Sequence, residues 1–125
     1  MRKPIVTYES FDIVVVPFPF TDAAQSKHRP ALVLSQNTTF GAIIGHSVLA
    51  MITSQKNEPW PLDVSIITPP AASGLTAPSV VRMKLFTLDH RLVFKKIGTL
   101  SKADQASVKQ NLSAIFDYLW RCPHF

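Results

Sequence analysis

Cysteine is almost missing from this chain of 125 residues: Cys122 stands alone. That excludes an internal disulfide and any metal cluster built on cysteines. Long apolar runs are missing as well. The longest, Ile13–Phe20, is interrupted by Pro17 and Pro19 and falls far short of the ~18 residues of a membrane span. Met1-Arg2-Lys3 is followed by Pro4 and then by Thr7, Tyr8 and Glu9, which leaves no apolar stretch for a signal peptide. A cytoplasmic protein with no membrane partner is therefore expected. Acids are few, eight Asp+Glu against thirteen Lys+Arg, and they stand singly. His28, His46, His90 and His124 lie far apart, without His-x-x-x-His or paired-carboxylate spacing, so no metal site is indicated. A Gly-rich phosphate loop and a Gly-x-Ser-x-Gly elbow are lacking too. What remains is chemistry without metal or cofactor, or binding alone.

The length fits one domain, residues 1–125, and the 46% hydrophobic content fits a chain that folds. The net charge of +5 suits a polyanionic partner, either nucleic acid or an acidic protein.

Phe11–Phe20 reads as a first strand, and its near-continuous apolar run implies burial on both faces. Pro17 and Pro19 give nothing to a ladder, so that end should be a sheet edge or a bulge. Thr21 to Arg29 reads as a polar loop that ends in Lys27-His28-Arg29. Pro30 then restarts the chain as a strand, Ala31–Ser35, with Arg29 at the hinge. Gln36–Gly45 is turn-rich. Ser47–Ser54 is a third strand, and Gln55–Pro61 a loop bounded by prolines. Leu62–Thr68 alternates loosely as a fourth strand. Pro69–Pro78 is a loop that turns at Gly74. Ser79–Thr87 is a fifth strand, with Val81, Met83 and Leu85 on one face and Arg82 and Lys84 on a solvated or anion-facing one. Asp89-His90 is a turn, and Leu92–Leu100 a sixth strand broken at Gly98. The period then changes. Ser101 can cap a helix with Asp104 in capping-box position, and Val108, Leu112, Ile115, Phe116 and Leu119 follow on one face. Short strands with frequent turns, closed by one amphipathic helix, point to a small barrel or a strongly curved sheet.

Three side chains carry possible chemistry. Arg29 keeps its charge at any working pH and grips phosphate through a planar fork, although by charge alone it reads equally as a surface arginine. Thr53 is a hydroxyl at the end of an apolar strand, where an ordinary β-branched residue is also at home. Trp60, with Lys56 nearby, can stack a nucleobase or pack on the core edge between its two prolines.

Several blocks, taken in order, resemble the MazF/PemK family of ribonuclease toxins from bacterial type II toxin–antitoxin pairs. They are Asp12-Ile13-Val14 with the Pro-Phe-Pro-Phe-Thr-Asp that follows, Arg29-Pro30-Ala31-Leu32-Val33-Leu34, Ile52-Thr53-Ser54, Pro78-Ser79-Val80-Val81-Arg82, Lys84-Leu85-Phe86-Thr87-Leu88-Asp89 and Lys96-Ile97-Gly98. The resemblance implies an SH3-like small antiparallel barrel, mainly β, with a C-terminal α-helix. It implies a homodimer that cleaves single-stranded RNA at a short sequence without metal or cofactor, and an acidic antitoxin as partner. The family's catalytic arginine and threonine map onto Arg29 and Thr53. Ser26, Lys27, His28, Ser54 and Gln55 then fall on the RNA-binding path, and the loop Ala23–His28 closes over RNA or is displaced by antitoxin.

Cleavage of RNA without a metal uses its own 2′-hydroxyl, which attacks the adjacent phosphorus. The protein must align the nucleotide, neutralise the phosphorane oxygens and manage two protons. Arg29 supplies fixed charge and a donor, Thr53 a donor, and the general base stays open, since an arginine is a poor one. The family usually carries glycine before the aspartate of the first strand. Phe11 stands there instead, a departure that bears on the local turn and not on the active site. The loop Thr21–Lys27 is short and nearly uncharged, which bears on the RNA sequence read. Two other readings share the fold: a gyrase poison like CcdB, acting through its C-terminal helix, and an inactive member that only binds RNA or antitoxin. The Arg29-Pro30 and Ile52-Thr53-Ser54 blocks favour the ribonuclease.

Overall fold

The computed structural model describes residues 6–18 and 27–116. Ser26 and the rest of the loop from Thr21, together with Leu119, Trp120, Cys122 and His124, lie outside them. Six strands form one antiparallel sheet: β1 (Asp12–Phe18), β2 (Lys27–Val33), β3 (His46–Ser54), β4 (Val64–Ser65), β5 (Ser79–Asp89) and β6 (Lys95–Thr99). Their order is β4-β5-β3-β2-β1-β6. Two short helices, α1 (Ala42–Ile44) and α2 (Pro70–Ser73), interrupt the strands, and α3 (Lys102–Ile115) follows the last one. The fold is thus mainly β with a C-terminal helix, as expected. Among the described residues no helix is long and apolar enough to cross a membrane.

Both faces of the sheet are buried, as the unbroken apolar run of β1 implies. Ile13, Leu32, Ala50, Ile52 and Val81 point to one side, where they meet Val64, Leu75, Leu100 and Val108 of α3. Val14, Val16, Ala31, Val33, Leu49 and Leu88 point to the other and pack with Tyr8. The sheet curls. Lys84 on β5 brings its Nζ to 5.0 Å from the ring of Phe18 on β1, although β3 and β2 lie between them. In a flat sheet three strand spacings, about 14 Å, would separate the two.

The prolines of β1 and β2 sit where the ladders give out. Val15 accepts from Phe94 N–H through its carbonyl at 2.8 Å, so Val15, and Pro17 two residues on, face the β6 side. Pairing with β6 ends at Val15↔Lys95, and the missing N–H of Pro17 falls beyond it, where β1 has no strand partner on that side among the described residues.

Several local expectations are corrected. Lys27, His28 and Arg29 are not loop: β2 begins at Lys27, because pairing with β1 runs on to Phe18↔Lys27. Arg29 is a strand residue opposite Val16, not a hinge. The segment read as turns after β2 is helical, a wide turn over Asn37–Gly41 leading into α1. The fourth strand shrinks to two residues, and its continuation peels away: Ile67 N–H and Thr68 N–H both donate to Asp104 Oδ2, at 3.0 and 2.8 Å. The loop after it holds α2, closed by Gly74 in the left-handed region (φ 75°). A Cβ on Gly74 would collide with the Ile97 carbonyl, and one on Gly98 with the carbonyls of Ala72 and Ser73. The two glycines therefore let α2 lie directly on β6, which starts three residues later than expected. The break at Gly98 is a bulge, where the register moves from Ile13↔Gly98 to Val14↔Lys96 and leaves Ile97 extra.

The cap of α3 is half as expected. Ser101 Oγ accepts from Asp104 N–H at 3.2 Å. Asp104 does not reach back to Ser101, being one methylene shorter than the glutamate of a full capping box. The Thr68 hydroxyl completes the circuit: it accepts from Ser101 N–H at 2.9 Å and donates to Asp104. The cap thus also ties β4 to the helix.

Candidate active site

The register of the central strands decides which side chains meet. On β2, Leu34 N–H donates to Val48 O at 2.8 Å, so the even-numbered residues of this strand aim their N–H groups at β3. Pro30 belongs to that set and has none. The β2–β3 ladder runs Val33↔Leu49, Leu32↔Ala50, Ala31↔Met51 and stops there. Yet β2 continues along β1 to Lys27, and β3 continues along β5 to Ser54. The pairing of the two strands is therefore broken from Pro30 onward, a notch in the ladder. Arg29 stands on one lip and Thr53 on the other. Continued two residues past its last pair, the same register sets them opposite each other, on the sheet face that carries Val14, Val16, Ala31 and Met51.

That face is basic around the notch. Lys27 shares it, being two residues from Arg29, and Arg82 shares it, paired with Met51 across β3–β5. The Arg29 side chain is exposed and, among the described residues, is engaged in no ion pair or hydrogen bond. Arg82 is not solvated. It donates to both carboxylate oxygens of Asp63, at 3.3 and 3.0 Å, and to Glu58 O at 2.7 Å, so the anion it faces is internal. Burial pushes the Asp63 carboxyl up, but the bond from Arg82, that from Trp60 N–H and the charge of Arg82 together outweigh it and hold it below the ordinary range. Lys84 lies in a two-residue bulge of β5, where the register jumps from Ala50↔Leu85 to Met51↔Arg82. The bulge frees it to reach across to Phe18.

The turn after β3 fixes the other lip. Lys56 N–H donates to Ser54 Oγ at 3.2 Å, Asn57 N–H to Ser54 O at 3.1 Å, and Gln55 N–H to Pro78 O at 3.1 Å. Asn57 turns its side chain back and donates through Nδ2 to Thr53 Oγ1. This fills an acceptor site of the threonine and leaves its single proton free to point elsewhere. Asn57 was not singled out from sequence, where it is one more polar residue of a turn.

Of the residues selected from sequence, Arg29, Thr53 and Lys27 gather on one face at the notch, with Ser54 and Gln55 beginning the turn beside it. His28 does not join them. Alternation along β2 turns it to the opposite face, where its ring stacks on Phe94 at 4.5 Å. Ser26 lies outside the described residues. Among those residues no three His, Cys, Asp or Glu side chains gather closely enough to hold a metal ion.

A cavity of about 840 Å³ is lined in part by Tyr8, His46, Asp89, His90 and Phe94. It lies at the other end of β3, seven residues and roughly 23 Å along the strand from Thr53. Its histidine at 90 and its aspartate at 89 are already engaged. His90 is buried, with Ser47 Oγ 2.7 Å from its Nε2 and Val6 O 3.1 Å from its Nδ1. Asp89 is clamped by Arg91, whose hydrogen bonds and charge hold the carboxyl far below its ordinary value.

Comparison with known proteins agrees on the fold. In a MazE–MazF structure from Deinococcus radiodurans, a chain superposes with a TM-score of 0.72 at 22% identity, covering 90% of this chain and 98% of that one. The Mycobacterium tuberculosis toxin MazF-mt6 gives 0.67 at 21% identity, over 85% and 96%. An endoribonuclease in complex with its cognate antitoxin, from a mycobacterial species, gives 0.70 at 16% identity, over 90% and 98%. Comparison with curated proteins gives no match. The sequence model of the PemK-like, MazF-like toxins of type II toxin–antitoxin systems matches residues 9–116, nearly the whole chain, and the protein belongs to that family.

Proposed function

We propose that the protein is the toxin of a type II pair and a metal-independent endoribonuclease of single-stranded RNA, with Arg29 and Thr53 as its catalytic residues. The observation that carries this reading is the break in the β2–β3 ladder at Pro30: just past it, on one sheet face, stand an arginine that is exposed and unpaired among the described residues and a threonine hydroxyl oriented by Asn57. In the reaction the 2′-hydroxyl gives up its proton to a base as its oxygen bonds to the adjacent phosphorus, the bond from phosphorus to the 5′-oxygen breaks, and a cyclic phosphate and a 5′-hydroxyl result. Arg29 binds the scissile phosphate and offsets the charge that grows on its oxygens. It also donates to the departing 5′-oxygen, which takes up a proton. The Thr53 proton, left free by Asn57, hydrogen-bonds a phosphoryl oxygen. Lys27 and Lys84 draw the strand toward the face through their charge.

The protein acts as a homodimer of one 125-residue domain in the cytoplasm, and an acidic antitoxin segment restrains it. The net charge of +5 supports that partner, as do solved relatives described with their antitoxins.

The test is cleavage of mixed-sequence RNA by folded protein in EDTA, with the ends of the products mapped. Wild type is expected to leave cyclic phosphates, and Arg29→Ala and Thr53→Ala each to lose about 10²-fold or more in kcat, the scale of one preorganised donor. Intact RNA at high enzyme excess would refute the activity. Undiminished cleavage by both variants would refute the residue assignment alone.

A further inference from the structure

Trp60 is 44% exposed in a loop that is anything but loose. Its N–H donates to Asp63 Oδ2 at 3.0 Å, and Asp63 N–H returns to Trp60 O at 3.3 Å. Leu62 closes the turn in the left-handed region, φ 66°, a conformation that costs a branched residue about 1–2 kcal/mol. Pro59 and Pro61 restrict the backbone on either side. Arg82, locked by Asp63 and Glu58 O, lies over one face of the indole, with its guanidinium carbon 5.2 Å from the ring centroid. A large aromatic surface is thus ordered before any ligand arrives, and backbone strain is spent to keep it so.

We propose that the free face of Trp60 is a nucleobase-stacking platform for a nucleotide next to the phosphate held between Arg29 and Thr53. The proposal rests on the ribonuclease reading and adds a base-binding subsite to it. Position argues for it: Arg82, beneath the indole, faces Met51, and Thr53 is two residues further along the same face. On a sheet such diagonal neighbours lie about 7–8 Å apart. Charge argues for a nucleic acid strand over an apolar or acidic peptide side chain, because Trp60 borders a face that carries Lys27, Arg29 and Lys84, while the charge of Arg82 is already met by Asp63. Stacking on a preordered ring uses the π-face that every base has, and it accounts for an exposed tryptophan fixed at such cost.

The probe is a single-stranded DNA oligonucleotide about twelve nucleotides long, within the span of known single-strand sites. It lacks the 2′-hydroxyl and stays uncut. Wild type should bind it with saturable quenching of tryptophan emission. Trp60→Phe should lose that quenching while the emission of Trp120 stays, and should keep most of the affinity. Trp60→Leu, with an unchanged melting temperature, should bind about 10-fold more weakly, the scale of one lost base stack. On RNA its KM should rise by a similar factor while kcat stays within about two- to three-fold. Equal affinity of Trp60→Leu and wild type would overturn the proposal. So would quenching by poly-glutamate with none by the oligonucleotide, which would assign the platform to a protein partner. Wild type that quenches with DNA but leaves RNA intact would refute the ribonuclease reading and leave the platform standing.

Discussion

Replacing Asp104 by alanine should be the most damaging single change outside the apolar core. The side chain is 2% exposed, and one oxygen, Oδ2, accepts from Ile67 N–H, Thr68 N–H and the Thr68 hydroxyl. A hydrogen bond to a charged acceptor contributes ~1.5–3 kcal/mol. Three on one oxygen compete for the same charge, so the sum overstates the loss. The dominant cost is two backbone donors left without a partner where β4 meets α3, at ~1–3 kcal/mol each, offset in part by water at Ile67, which is exposed. About 3 kcal/mol is the expected total. Unfolding entropy near 2.1 cal/mol/K per residue gives roughly 0.26 kcal/mol/K for 125 residues, so Tm should fall by roughly 10 °C. Calorimetry at neutral pH measures it directly. Asp104→Ala and Thr68→Val should be markedly non-additive, since Thr68 relays Asp104 to the Ser101 cap. A melting temperature within about 2 °C of wild type would refute the account of this junction, because cap, strand end and helix would then not depend on the carboxylate.

Asn57→Asp should lower kcat by about 10²-fold, the scale of one lost donor, with KM little changed. A carboxylate can only accept and so takes up the Thr53 proton, whereas Asn57→Ala should lose much less; equal losses in single-turnover cleavage would rule out the orienting role. Asp63→Asn should flatten the acid limb of stability. The folded carboxyl titrates below its unfolded value of about 3.9, so its contribution is present above that pH and lost as pH falls through the lower folded value. The gap in Tm between wild type and variant should close as the pH falls below that unfolded value, and a constant gap would sink the assignment.

Period and turn chemistry announced most of the fold. The unbroken apolar run of β1, the glycine at 74 and the change to helical spacing at Ser101 each led to the element found. What escaped sequence reading was set by partners distant in the chain. The start of β2 at Lys27 follows from a ladder with Phe18. The two-residue β4 ends where Asp104, thirty-six residues away, takes the Thr68 N–H that a longer strand would have given to β5. Arg82 and Lys84 read as one polar face, yet a bulge separates their fates: one is locked under Trp60 and the other stretches to Phe18.

Phe11 shows how far a departure from a family pattern can be read physically. The residue takes φ 71°, a conformation glycine adopts freely and a phenylalanine does not. Its neighbours hold it there. Phe11 N–H donates to Val33 O at 2.6 Å, its carbonyl accepts from Leu100 N–H at 3.1 Å, and Lys109 of α3 lies 5.5 Å from its ring. The ring packs against the core face beneath α3, so the backbone cost, about 1–2 kcal/mol, is offset by burial that glycine would forgo. Phe11 thus holds a backbone that glycine would adopt freely, and its side chain fastens the helix to β1. The same economy explains the Arg29-Pro30 pair. In sequence the proline only marked the start of a strand, but in the sheet it withholds the N–H that would zip β2 to β3. The break in pairing beside Arg29 and Thr53 follows from that missing donor, and so the residue after the arginine bears on the candidate site as directly as the arginine does.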